Sequence, residues 1–202
     1  MAAAVMQLWA DDPAPPDWPG LNRTPVVLMV RTPDTTLREE ARSLVRTALR
    51  SFLAPLAGCV PDMVPLEIEP GQPPRLALAK PPLGLPVSLS ISHDAGLSLA
   101  AVRLGGPVGV DLMRVTDAAL PDWQALAHDY LGPDAAIQLE GLGLAQRPAA
   151  FARAWTRHEA ELKCLGLPLQ EWSLDLAQKT GQCRFSELVL PAPYVGTVAL
   201  RD

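Results

Sequence analysis

Pro148 and Gly166 bracket the stretch that leaves this chain the least conformational choice. Proline suits a first helical turn, where its missing N–H costs nothing, and glycine suits the left-handed position just past a helix end. Between them, Phe151-Ala-Arg-Ala-Trp-Thr-Arg-His-Glu-Ala-Glu-Leu-Lys-Cys-Leu165 contains neither residue, so one amphipathic helix is predicted. Trp155, Glu159 and Lys163 recur four residues apart and share one face. Alone, that pattern describes a solvated Glu–Lys pair, which contributes only a few tenths of a kcal/mol. Two upstream segments give it another meaning: Ser90-Ile-Ser-His-Asp94 and Pro107-Val-Gly-Val-Asp-Leu112.

The first of these belongs to a hairpin. Val87-Ser-Leu-Ser-Ile-Ser92 alternates strictly, His93-Asp-Ala-Gly96 turns the chain, and Leu97–Leu104 returns. Gly105-Gly-Pro107 then punctuates the chain before a further strand, Val108–Met113. On that strand Val108, Val110 and Leu112 share one face, while Gly109, Asp111 and Met113 share the other. Closing strands are predicted at 171–176, 183–186 and 194–200, and residues 118–147 read as helical pieces broken at Leu131-Gly-Pro133 and Gly141-Leu-Gly143.

Upstream, Pro25–Val30 reads as a short buried strand, and Val64–Ile68 alternates like another. Thr36-Leu-Arg-Glu39 matches a capping box, which predicts a helix to about Ala54. Leu37, Ala41, Leu44, Val45, Ala48 and Phe52 give that helix a core face. Arg38, Arg42, Arg46 and Arg50 form a second ridge, either a solvated face or a phosphate-binding one, since guanidinium forks match phosphate oxygens. Residues 10–20 hold too many prolines for helix or sheet and read as an extended arm. The order strand, long helix, strands thus occurs twice without sequence identity. An α+β fold is predicted, with two similar lobes related by a pseudo-twofold: residues 1–104, including the proline-rich arm, and residues 105–202. The cleft between them is the expected place for a ligand.

Charge and cysteine usage narrow the function classes. A formal net charge of −5 argues against a general nucleic-acid binder. Three scattered cysteines without C-x-x-C argue against a disulfide framework or a thiol-rich zinc site, and a reducing cytoplasm is expected. No stretch approaches the length of a membrane span, and the apolar first residues lack the basic flank of a signal peptide. A histidine-based metal hydrolase built on His93, His128 and His158 lacks the H-E-x-x-H spacing.

Ile91-Ser-His93, Val108-Gly-Val-Asp111 and Trp155-Thr-x-x-Glu159-Ala-x-x-Lys163 together, in this order and on these element types, resemble the 4′-phosphopantetheinyl transferases. The resemblance covers Gly71 to Leu176 and is closest to the monomeric, pseudo-dimeric branch that activates carrier proteins of peptide and polyketide synthases. It implies a cytoplasmic monomer in secondary metabolite biosynthesis. The implied reaction moves the phosphopantetheine arm of coenzyme A to a serine of an apo acyl, peptidyl or polyketide carrier protein, with Mg²⁺ as cofactor. Membrane and nucleic acid have no part in it.

By the same resemblance, Asp111 and Glu159 would hold the metal, and Glu159, Lys163 and Asp111 would be catalytic, with Glu159 the candidate base. Ser92, His93, Arg42 and Lys163 would contact coenzyme A phosphates. Three positions depart from the family pattern. Met113 stands where a second strand acid is usual, His158 where Lys is common, and Gln72 where Gly-Lys-Pro has its lysine; Arg75 is the candidate to compensate for the last. A thioether is a poor ligand for a hard cation. These departures keep open a different class of function: a catalytically degenerate module that binds coenzyme A or a carrier protein without turnover.

Overall fold

The computed structural model describes residues 5–10, 24–33, 37–69, 72–80, 84–116 and 122–202. The architecture is α+β. One sheet has the order β1-β2-β6-β5 and consists of β1 (Met6–Trp9), β2 (Val26–Arg31), β5 (Val87–Asp94) and β6 (Leu97–Leu104). β1 runs parallel to β2, and the other pairs are antiparallel. A two-stranded ribbon joins β3 (Leu66–Glu67) to β4 (Arg75–Leu76). A second sheet has the order β7-β9-β8, from β7 (Val108–Arg114), β8 (Arg184–Glu187) and β9 (Tyr194–Leu200).

Period two in the first sheet assigns its faces. Val26, Leu28 and Val30 of β2 pack with Ala100 and Val102 of β6 against Val45, Leu49, Phe52 and Leu53 of α1 (Arg38–Ala57). The intervening Val27 and Met29 turn the other way, with Leu99 and Ala101, onto Val108, Val110, Leu112 and Val198 of the second sheet. Beyond that sheet lies α4 (Arg147–Leu165), whose Ala160 and Cys164 cover Ala199. The layers are therefore helix, sheet, sheet, helix. Fully burying one such Val or Leu contributes about 1.5–3 kcal/mol, so these alternating positions dominate the stability.

Several expectations hold. The hairpin, β7 and its two faces, β9, and the helix bracketed by Pro148 and Gly166 are all present, and Gly166 caps α4 at φ 67°. The helical pieces are α2 (Trp123–Leu126), a π turn (Ala127–Leu131) and α3 (Pro133–Glu140), broken at Gly132 and Gly141. Other expectations need correction. Leu37 and Leu44 are 76% and 41% exposed, because the buried face of α1 runs through Ala41, Val45, Leu49, Phe52 and Leu53. Leu37 occupies the N-cap position without a side-chain cap bond, and Thr36 lies outside the described residues. Residues 171–176 do not form a strand: Ser173 accepts the Leu176 N–H at 3.1 Å and starts the helix α5 (Leu174–Lys179). β1 was not foreseen. The arm at 10–20 lies, beyond Ala10, outside the described residues.

Two long-range connections fasten the sheets together. The Gln7 side chain donates to the Val189 carbonyl and accepts its N–H, both at 3.0 Å, across 182 residues of sequence. Three side chains on β5 accept successive outward N–H groups of β7: Ser90 Oγ from Val110 (3.0 Å), Ser92 Oγ from Leu112 (3.3 Å), and Asp94 Oδ2 from Arg114 (2.6 Å). A ladder edge that would otherwise carry buried unpaired donors is thus satisfied by side chains.

Gly109 lets α4 lie directly on β7. A Cβ there would come within 1.9 Å of the Ala160 carbonyl oxygen and 2.5 Å of the Cys164 nitrogen. Both are backbone atoms, so the helix itself would have to move. Gly109→Ala is expected to destabilise the fold by about 3 kcal/mol, read as a lower urea midpoint at unchanged slope.

Candidate functional site

The close contact at Gly109 brings the next outward residue of β7, Asp111, under the helix face that carries Glu159 and Lys163. Asp111 Oδ1 accepts from Lys163 Nζ at 2.6 Å and from Ser92 Oγ at 2.7 Å. Lys163 Nζ also donates to the Val110 carbonyl at 3.3 Å and lies 3.8 Å from Glu159 Oε2. One ammonium therefore serves two carboxylates from different elements, a strand and a helix. The i,i+4 pair, which taken alone would describe a solvated face, sits in a recess: the side chains of Asp111, Glu159 and Lys163 are 9%, 19% and 30% exposed.

Burial sets the electrostatics of this group. It raises the Asp111 pKa above the ordinary carboxylate value, and the Lys163 ammonium with the Ser92 hydroxyl only partly opposes the shift. Glu159 is also raised, first by burial; Lys163 opposes this and the charge of Asp111 adds to it. Two raised carboxylates sharing one cation form a centre short of positive charge.

The structure brings together Asp111, Glu159, Lys163 and Ser92. His93 lies at the next position on β5, where its Nδ1 shares a 2.8 Å hydrogen bond with Ser98 Oγ. Its pKa is lowered to about 4, first by burial and then by Arg42, Arg38, Lys163 and Arg46. Arg38, Arg42 and Arg46 of α1 therefore lie near enough to His93 for their charge to act on it. Within this arginine ridge, Arg42 and Arg46 reach Glu39 at 3.3 and 3.4 Å, and Arg50 turns away to the Leu66 carbonyl. Those exposed pairs contribute little to stability.

A cavity opens at each end of the β7–α4 pair. One, of 500 Å³, is lined by Arg75, Pro107, Val108, Lys163 and Gly166. The other, of 910 Å³, is lined by Met113, Trp123, Arg147, Phe151 and Pro193 among others. Asp111 and Glu159 lie between them. Met113 packs with Trp123, Trp155 and Phe151 and forms an apolar wall. Trp155 stacks on Phe151 and meets Tyr130 edge-on, both at 5.7 Å.

Among the described residues, no group of three or more His, Cys, Asp or Glu could hold a metal ion. Asp111 and Glu159 nonetheless supply hard carboxylate oxygens that already share one cation, the Lys163 ammonium. Mg²⁺ asks for no more from a protein, because waters and phosphate oxygens complete its shell. The chemistry of the donor set fits that ion.

Residues 107–198 match the 4′-phosphopantetheinyl transferase superfamily. The matched segment holds β7 and α4, and with them Asp111, Glu159 and Lys163. Ser92, His93 and Arg42 lie outside it. A protein of Synechocystis sp., provisionally named a 4′-phosphopantetheinyl transferase, is 29% identical over 124 residues. The match covers 60% of this chain and 48% of that protein, so the chain spans about half the length of this curated relative.

Sequence reasoning missed the side-chain stitching of β7 and the cavity behind Met113. The alternation of Ser88, Ser90 and Ser92 was the available signal for the first, but it looks identical to a solvated strand face. No helix among the described residues is long and apolar enough to cross a membrane.

His93 provides a pH test of this geometry. Its folded pKa of about 4 lies below the ordinary 6.5, so in that interval the unfolded chain takes up a proton that the folded chain refuses. Stability therefore falls as pH drops through that window. His93→Gln is expected to flatten the fall, checked by comparing urea midpoints of both proteins at about pH 7 and about pH 4.5.

Proposed function

We propose that this chain transfers the phosphopantetheine arm of coenzyme A to a serine hydroxyl of an apo carrier protein, releasing adenosine 3′,5′-bisphosphate. The observation that carries this reading is the convergence of Asp111 and Glu159 on Lys163 between two cavities. A substrate cleaved at its pyrophosphate needs such a layout, with its two halves extending in opposite directions from a charged centre.

In this reading the nucleotide half occupies the 500 Å³ cavity, where Arg75 and Lys163 supply positive charge. The pantetheine half extends past Met113 into the more apolar 910 Å³ cavity. Asp111 and Glu159 would hold Mg²⁺, which when bound supplies neutralisation of the pyrophosphate. Lys163, at the midpoint, holds a phosphate oxygen and stabilises charge on the transferring group. Glu159 accepts the proton of the attacking serine. The Arg42 and Arg46 ridge beside His93 fits a coenzyme A phosphate, and its outer rim fits an acidic carrier surface.

The same reading divides the chain at residues 104 and 105 into two lobes, supported by a long helix on a small sheet in each half. It assigns a monomer, in which both halves of the site come from one chain. A cytoplasmic location and service to secondary metabolite biosynthesis complete it; the free thiols Cys59, Cys164 and Cys183 accord with the former. The competing reading is a module that grips coenzyme A without turnover. Met113 supports it, because an apolar side chain stands where an oxygen donor would strengthen metal binding.

Intact mass of an apo carrier protein incubated with this chain, coenzyme A and Mg²⁺ separates the two. A gain of one phosphopantetheine, abolished by a chelator, is expected; coenzyme A binding with no gain across several carriers would favour the binder. Glu159→Gln is expected to lower kcat by about 10²–10⁴-fold, measured by the same assay, whereas a pure binder would tolerate it.

A further inference from the structure

The resemblance assigns Ser92 to the phosphates of coenzyme A, but its hydroxyl is engaged elsewhere. Ser92 is 5% exposed. Its Oγ accepts the Leu112 N–H at 3.3 Å and donates its single proton to Asp111 Oδ1 at 2.7 Å. A phosphate oxygen needs that same proton. Lys163 binds the same carboxylate oxygen at 2.6 Å, so both side-chain hydrogen bonds to Asp111 fall on Oδ1.

We infer that Ser92 is a positioning residue: with Lys163 it fixes Oδ1 of Asp111 and so leaves Oδ2 as the carboxylate oxygen offered to a cation. The inference rests on the transferase reading above. Ser90 supplies an internal control. It stands two residues earlier on the same face of β5 and accepts the Val110 N–H at 3.0 Å, as Ser92 accepts that of Leu112. Ser90 gives no hydrogen bond to a carboxylate of β7. Loss of Ser90 therefore removes one stitch between the sheets, while loss of Ser92 removes a stitch and the orientation of Asp111.

The test compares Ser90→Ala, Ser92→Ala and Ser92→Thr with the unmodified chain. Mn²⁺ affinity is measured by electron paramagnetic resonance without coenzyme A. Coenzyme A affinity is measured by calorimetry in the presence of a chelator, and carrier modification gives kcat and KM. Ser92→Ala is expected to lose about 10-fold in Mn²⁺ affinity and in kcat, as outer residues that orient metal ligands do, with chelator-state coenzyme A affinity unchanged. Ser92→Thr, which keeps the hydroxyl, is expected to recover most of the loss, and Ser90→Ala to show neither effect. Weaker coenzyme A binding with unchanged Mn²⁺ affinity would restore Ser92 to the phosphates and overturn the inference. Equal behaviour of Ser90→Ala and Ser92→Ala would reduce it to a structural stitch. An unmodified chain that leaves every carrier unmodified would sink the transferase reading itself, an outcome distinct from both.

Discussion

The outward N–H groups of β7 form an edge that must find acceptors, and β5 supplies them from side chains. Ser90, Ser92 and Asp94 answer Val110, Leu112 and Arg114 in turn. Each unmet buried donor would cost about 1–3 kcal/mol, comparable with a large part of the stability of a domain. Those bonds also fix register. Because strand side chains repeat every two residues, a slip of one position would turn Asp111 away from α4. The same contacts that close the edge thus decide which face of β7 meets Glu159 and Lys163.

Glycine completes what the edge begins. With no side chain at Gly109, the backbones of β7 and α4 approach closely, and two carboxylates and an ammonium meet where water is scarce. Raised pKa values at Asp111 and Glu159 are the thermodynamic expression of that scarcity. Buried charges of one sign seek a partner of the other, and a single lysine between two acids leaves the centre receptive to a further cation.

Period and punctuation made the hairpin, β7 and α4 legible from sequence. Strict alternation at 87–92, the Gly105-Gly-Pro107 break and the Pro148/Gly166 brackets each reflect a local steric rule that tertiary packing did not override. Period likewise placed Asp111 on one face of β7 and Glu159 with Lys163 on one face of α4, but that these two faces meet was suggested by the resemblance and not by the periods. Where local signals competed, the reading failed. In α1 the apolar residues Leu37 and Leu44 sit at helical spacing, yet tertiary packing selected the stripe through Leu49 and Leu53. At 171–176 an alternating pattern masked the stronger signal of a serine that caps a helix. The job of Ser92 was not legible, since a hydroxyl carries no mark of whether a phosphate, a backbone amide or a carboxylate will claim it.

The Gln7–Val189 clasp has a consequence for how the chain reaches this state. A pair of hydrogen bonds spanning 182 residues closes a loop whose entropy cost grows with the logarithm of its length. It rewards the chain only after the approach to β9 has been laid down, so the clasp closes late, whereas β1 can already pair with the nearby β2. Non-local closure of that kind slows the last step of folding and makes the rate of synthesis part of how the chain reaches this state.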